Sequence, residues 1–337
     1  MSGGFPSMNR AGPAVGGWVE LARTTLGSAS ETLEVTGFAD KRYLMFLIDG
    51  RSVSSEFQTV LQTGNSSFDT GSNYAIRSSD NGGADATGTS YPYTRISPST
   101  SLSELFCVGY IANYASKEKL GQLWGMKRET AGAGTAPQRI ENVWKWANTS
   151  NVIDRLRVNE NGSGTINTNS EMVVLGWDPA DTHTTNFWEE LASVDSTTVS
   201  ESITAKKYLW IQIWADDSSS MALDLTFNSD TGNNYAIRGS NNGAADGTGT
   251  SAPSIIDNYG FGGHPHFINM FVINNTSNEK LMIGHSISQS TAGAASAPNR
   301  RELVGKWANT SNQITSIQCD NAGTAFDRII MKVWGAD

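Results

Sequence analysis

The chain is predicted to be all-β, built as two tandem β-sandwich (jelly-roll-like) domains, on three observations. The stretch Asp69–Ser90, DTGSNYAIRSSDNGGADATGTS, returns almost letter for letter at Asp230–Ser251, DTGNNYAIRGSNNGAADGTGTS. The copies lie 161 residues apart in a chain of 337, so the chain divides into two similar halves of ordinary domain size. Short runs of alternating apolar residues are separated by turn residues about every 8–12 positions, with almost no helical periodicity.

Residues 1–17, MSGGFPSMNRAGPAVGG, are rich in Gly and Pro and carry no periodicity. They read as an N-terminal arm, either disordered or ordered only on a neighbouring subunit. The first domain is expected over 18–178, a linker (PADTHTTN) over 179–186 and the second domain over 187–337. Each domain opens on Trp-x-Glu-Leu-Ala, at Trp18–Ala22 and Trp188–Ala192, and the best candidate for a helix is Asn186–Ala192. Short strands are expected at Thr32–Thr36 and Val199–Ile203. The segments beginning Lys41-Arg-Tyr-Leu44 and Lys206-Lys-Tyr-Leu209 open strongly apolar strands.

In those strands Leu44, Phe46 and Ile48 point one way, as do Leu209, Ile211 and Ile213. Tyr43, Met45 and Leu47 take the opposite face, as do Tyr208, Trp210 and Trp214. A strand apolar on both faces covers something on each. Trp210 and Trp214 are therefore expected to pack on the other repeat or on another chain, with stacking on a sugar ring as the rival.

The repeated Asp-Gly-Asn stretch follows and reads as a polar loop whose Asn and Gly supply positive φ. Further strands are expected at Glu104–Ile111 and Phe267–Ile273, with hairpin turns at Asn113–Leu120 and Asn274–Leu281. A second pair of loops spans Thr130–Arg139 and Thr291–Arg300. Lys145–Asn151, KWANTSN, is identical to Lys306–Asn312 and reads as strand, turn, strand. The repeats close at Val174–Asp178 and Val333–Asp337.

The net charge of −9 argues against a nucleic-acid partner, which needs a basic surface. Cys107 and Cys319 fall at non-equivalent positions and read as buried thiols rather than a disulfide framework. No apolar run approaches the roughly 18 residues of a membrane span. No secretory signal is visible, so synthesis in a cytoplasm is expected.

No motif of nucleophile, metalloprotease or phosphate-binding type occurs. His183 and His285 stand alone, and His264-Pro-His266 has no further ligand pattern to complete a metal site. The loops offer weak calcium candidates in Asp69, Asp80, Asp85, Asp230 and Asp246, without EF-hand spacing; polar turns are the plainer reading. Arg77 and Arg238, with Tyr74 and Tyr235, are candidate interface residues; alternatively each arginine closes its own loop. The pair Trp144/Trp146, of which Trp307 keeps the second, is expected to pack in a core or at a sandwich edge, with a carbohydrate platform as the rival. No catalytic residue and no cofactor is expected.

Taken together, the Trp-x-Glu-Leu-Ala opening, the Lys-x-Tyr-Leu strand, the Asp-x-Gly-x-Asn-Tyr-Ala-x-Arg stretch, the Lys-Trp-Ala-Asn-Thr-Ser turn and the Val-x-Gly-x-Asp close resemble jelly-roll modules of tailed-phage virion proteins. The resemblance spans about residues 18–337 and defines no catalytic residues. It implies a virion component, usually oligomeric, docked on other virion proteins. A capsid decoration or cement protein on the major capsid protein is the first expectation. A tail or fibre module binding host-surface carbohydrate or a receptor is the alternative.

Overall fold

A computed structural model describes residues 17–52, 58–97, 104–161, 164–218, 221–257, 265–289 and 291–337. All but the last residue of the expected N-terminal arm, and His264, lie outside these residues.

The first half runs β1 (Val19–Thr25), β2 (Thr32–Thr36), β3 (Tyr43–Arg51), β4 (Thr59–Asn65), β5 (Ser67–Phe68) and β6 (Tyr74–Asp80). It continues with β7 (Ala86–Tyr91), β8 (Thr94–Arg95), β9 (Glu104–Ala112), β10 (Lys119–Arg128), β11 (Gln138–Trp146), β12 (Arg155–Glu160) and β13 (Glu171–Trp177). The second half runs β14 (Glu189–Ser196), β15 (Val199–Ser202), β16 (Tyr208–Asp216), β17 (Leu223–Phe227), β18 (Tyr235–Asn241) and β19 (Gly247–Ala252). It ends with β20 (Ile255–Asp257), β21 (His266–Ile273), β22 (Lys280–Ser288), β23 (Asn299–Trp307), β24 (Ser316–Asn321) and β25 (Arg328–Ala336).

The chain is all-β: every regular element among the described residues is a strand. The helix expected at Asn186–Ala192 is instead the start of β14. Its Glu-Glu-Leu-Ala run favours a helix locally, but pairing with β25 and the seating of Leu191 and Ala192 on the core override that preference.

Each half forms its own pair of sheets. The large sheet of the first half has the order β1-β13-β3-β9-β10-β11-β6-β7, and that of the second β14-β25-β16-β21-β22-β23-β18-β19. These are the same order, strand for strand. The small sheets run β2-β12-β4-β5, with β8 on β4, and β15-β24-β17-β20. The chain passes back and forth between the two sheets, with β9–β10–β11 and β21–β22–β23 as meanders within the large ones, and every strand pair among the described residues is antiparallel.

The period of two decides which sheet each face meets. Leu44, Phe46 and Ile48 join Leu33, Val35, Leu61, Leu156 and Val158 of the small sheet in one core. Leu209, Ile211 and Ile213 do the same with Leu223, Leu225 and Ile317. The outer faces of the two large sheets meet in a third core. Met45, Leu47, Phe106, Val108 and Met126 come from the first half, and Tyr208, Phe271, Leu281, Ile283 and Val304 from the second. The molecule is thus a stack of four sheets with three apolar layers between them.

Several repeated motifs have local reasons. Trp-x-Glu-Leu-Ala makes a β-bulge, between Glu20 and Ala22 and again between Glu190 and Ala192. The bulge lays Leu21 over Gly176 and Leu191 over Gly335; a Cβ at either glycine would fall 2.6 or 2.5 Å from the leucine and collide with Lys41 or Lys206 as well. That is why the closing strand carries glycine twice.

Candidate functional site

The repeated Asp-x-Gly-x-Asn-Tyr-Ala-x-Arg stretch is a folding device. Asp69 accepts hydrogen bonds from Gly71 N (2.8 Å), Asn73 Nδ2 (2.9 Å) and Trp146 Nε1 (2.6 Å). Asp230 accepts the same three, from Gly232 N (2.9 Å), Asn234 Nδ2 (2.9 Å) and Trp307 Nε1 (2.7 Å). Each carboxylate pins a tight turn to the core tryptophan of the Lys-Trp-Ala-Asn-Thr-Ser motif. In that motif the Asn148 and Asn309 side chains accept from the backbone amides two and three residues on, and their carbonyls accept from the buried Lys119 and Lys280 ammonium groups.

Tyr74 and Tyr235, expected at an interface, are instead fully buried inside their own halves. Tyr74 Oη hydrogen bonds with Thr63, and Tyr235 Oη with the Phe227 and Asp230 backbone. Their hydroxyls serve the turn that Asp69 or Asp230 caps, so they cannot reach another subunit.

The rest of the stretch is a β-hairpin, β6–β7 and β18–β19, rather than the expected loop. Asn81-Gly82 and Asn242-Gly243 make its turns with positive φ. The calcium candidates do not converge. Asp69 and Asp230 are occupied as described, Asp80 lies near Arg95, Asp85 pairs with Arg77 and Asp246 with Arg139. Among the described residues no three His, Cys, Asp or Glu side chains come together as a metal set.

Buried charged side chains gather at the contact between the halves. At one end Asp49 and Glu171 meet Lys207 at 3.3 and 3.0 Å, and Tyr208 Oη donates to Glu171 at 2.9 Å. Burial would raise the Glu171 carboxyl, but hydrogen bonds from Thr25 and Lys207 and the charges of Lys207 and Arg23 hold it below the usual carboxylate range. Burial, with the adjacent Glu171 and Asp49, pushes the Tyr208 phenol well up. In the middle Arg128 bridges Glu104 (3.1 Å) and Glu279 (3.5 Å), and Asn278 donates to Glu104. At the far end Arg139 grips Asp246 with two bonds. Arg238 Nε donates to the Pro137 carbonyl (2.7 Å), Lys306 Nζ to that of Thr130 (2.7 Å), and Ser251 N to that of Ala133 (2.8 Å). Arg238 is thus an interface arginine within the chain, while Arg77, its counterpart, is exposed.

A groove of about 790 Å³ lies on the outer face of the first large sheet. Trp18, Tyr43, Tyr110, Leu120, Val143 and Trp177 supply its apolar lining, with Arg77 and Lys145 at its margin. Leu120 and Val143 are 59% and 51% exposed. A smaller hollow of about 420 Å³ on the second half holds Trp214, Pro265, Phe267, Ile287, Thr291 and Pro298. Trp210 is not at the surface of either: it is half-buried among Trp188, Phe271 and Trp334 beside the inter-half core. Trp144 and Trp146 are buried in the first sandwich core. Cys107 and Cys319 are free and buried.

No protein-family description and no curated protein matches this chain. Among solved structures it is similar to the LG1–3 region of the laminin α2 chain, at 9% identity and a TM-score of 0.22, over 90% of this chain and 59% of that one. It is also similar to domains LG4–5 of the mouse laminin α1 chain, at 10% identity and a TM-score of 0.20, over 94% and 88% of the two chains. This chain therefore spans less than two thirds of the laminin α2 structure.

Proposed function

We propose that the chain is a structural subunit of a tailed-phage virion, coating a capsid shell as a decoration or cement protein through protein–protein contacts. One observation carries the reading: the part of the outer sheet face that is buried against a β-sandwich in the second half is an open apolar groove in the first. A groove built from Tyr43, Tyr110, Leu120, Val143 and Trp177 is suited to another protein face, since exposed apolar patches of this kind mark association sites. The motif resemblance supplies the virion context. Binding only the assembled shell would stabilise it by mass action, and the net negative charge favours a basic partner surface.

Tyr43 and Trp177, stacked with centroids 5.4 Å apart at the groove margin, also favour the alternative of a tail or fibre module that stacks a host-surface sugar. Co-sedimentation of the purified protein with expanded shells lacking their outer coat separates the two. Saturable binding supports the coat role. No binding to shells, together with retention on a glycan array lost in Trp177→Ala, would replace it with the sugar-binding role.

A further inference from the structure

The geometry points to a second copy of this chain as the occupant of the open groove, docked head to tail by repeating the contact that already joins the two halves. This rests on the reading of the chain as an assembling structural protein.

The halves do not use the same ends of their outer faces. In the second half the end near the start of β16 is buried: Tyr208, Phe271, Leu281, Ile283 and Val304. The strand registers place Tyr43, Tyr110, Leu120, Gln122 and Val143 at the matching positions of the first half, and these line the open groove. In the first half the opposite end is buried, through Phe106 and Met126. Their counterparts in the second half, Phe267 and Ile287, are exposed in the smaller hollow. Each half therefore has one end covered and one open, and the two open ends are of opposite kinds. Such a contact is heterologous, and repeating it between copies builds a ring or a filament.

The polar contacts make the argument specific. Four join the hairpin half of one surface to the loop half of the other: Arg139 with Asp246, Arg238 with the Pro137 carbonyl, Lys306 with that of Thr130, and Ser251 N with that of Ala133. All the counterparts are kept. Arg300 and Asp85, Arg77 and Pro298, Lys145 and Thr291, Ser90 and Ala294 have the same roles available, and all eight are exposed. The side chains of Arg139 and Asp246 are 5% and 1% exposed, whereas those of Arg300 and Asp85 are 64% and 51% exposed. One docking set is closed within the chain and an equivalent set is open.

The test is light scattering of the full chain with charge reversals at the open set. The wild type is expected at a multiple of 36.2 kDa. Arg300→Asp and Asp85→Arg are each expected to weaken self-association by about thirtyfold or more, the usual effect of breaking a desolvated charge pair. The double variant, with the charges exchanged, is expected to restore it. Both residues are on the surface of the single chain, so each variant should keep the wild-type circular dichroism. A monomeric wild type, or single reversals that leave the mass unchanged, would overturn the proposal. A monomer that still coats shells would overturn head-to-tail assembly and leave the structural role standing. An oligomer that binds no shell would support the assembly and remove the shell-coat role instead.

Discussion

Trp124 and His285 hold the same place in the two halves, and their rings meet across the inter-half contact with centroids 4.9 Å apart at 64°. A charged imidazole would be costly there. Burial, with a smaller contribution from Arg139, pushes the His285 pKa down to about 4 from 6.5. On acidification the unfolded chain therefore takes up the proton before the folded chain does. Stability from this site is full above about pH 6.5 and falls as pH drops towards about 4, by about 3 kcal/mol in all. Thermal unfolding followed across that window should show the loss. His285→Phe, which keeps an aromatic ring against Trp124, should flatten this part of the profile; an unchanged slope would count against the assignment.

The Asp69 and Asp230 turns should behave as independent copies. Each carboxylate satisfies an indole N–H, an amide N–H and an asparagine side chain, so Asp69→Ala should cost about 2–3 kcal/mol. Asp230→Ala should cost a similar amount. The two sit in different halves, so the double variant should add them within about 0.5 kcal/mol. Denaturant titration measures all three. Added calcium should leave each midpoint where it was; a calcium-dependent rise would restore the metal reading of these loops.

Asp246 and Asp85 are the same residue of the repeat in two settings. Asp246→Asn leaves the buried Arg139 with only its Glu141 pairing and should cost about 3 kcal/mol of unfolding free energy. Asp85→Asn removes only an exposed pair with Arg77 and should cost less than about 0.5 kcal/mol at dilutions that dissociate any assembly. Equal costs in chemical denaturation would mean that the two surfaces are not in different states of burial.

Leu281 and Leu120 make the same comparison for the apolar layer. Leu281→Ala empties part of the inter-half core and should cost about 2–5 kcal/mol. Leu120→Ala should change the stability of the dispersed chain by less than about 0.5 kcal/mol, yet reduce association where copies dock. Unfolding at two protein concentrations distinguishes these effects.

Much of the fold was legible in the sequence because two periods dominate it. The period of two in Leu44, Phe46 and Ile48, set against Met45 and Leu47, revealed a strand covered on both sides, and the second cover is the other half. The 161-residue repeat is matched by two large sheets with one strand order, an order that the sequence itself did not supply. The hairpin within the Asp-Gly-Asn stretch was missed because it lies at a sheet edge, where little apolar alternation is needed. Tyr74 and Tyr235 misled for a related reason: their polar neighbours suggested a surface, but those neighbours tie the hydroxyls into a buried turn.

The contact itself could not be read from local pattern, since Arg139 and Asp246 are far apart in the chain. One signal was present. Asp49, Glu104 and Glu171 fall where the second repeat has Trp214, Pro265 and Ile330, and these differences mark the end of the sheet that is covered in one half and open in the other.

Sedimentation equilibrium of this 337-residue chain over a rising concentration series reads head-to-tail docking directly. Head-to-tail docking predicts a mass that settles at a fixed multiple of 36.2 kDa, or grows stepwise as a filament would. A chain that stays at 36.2 kDa at every concentration, with Leu120 and Val143 open to solvent, would contradict it.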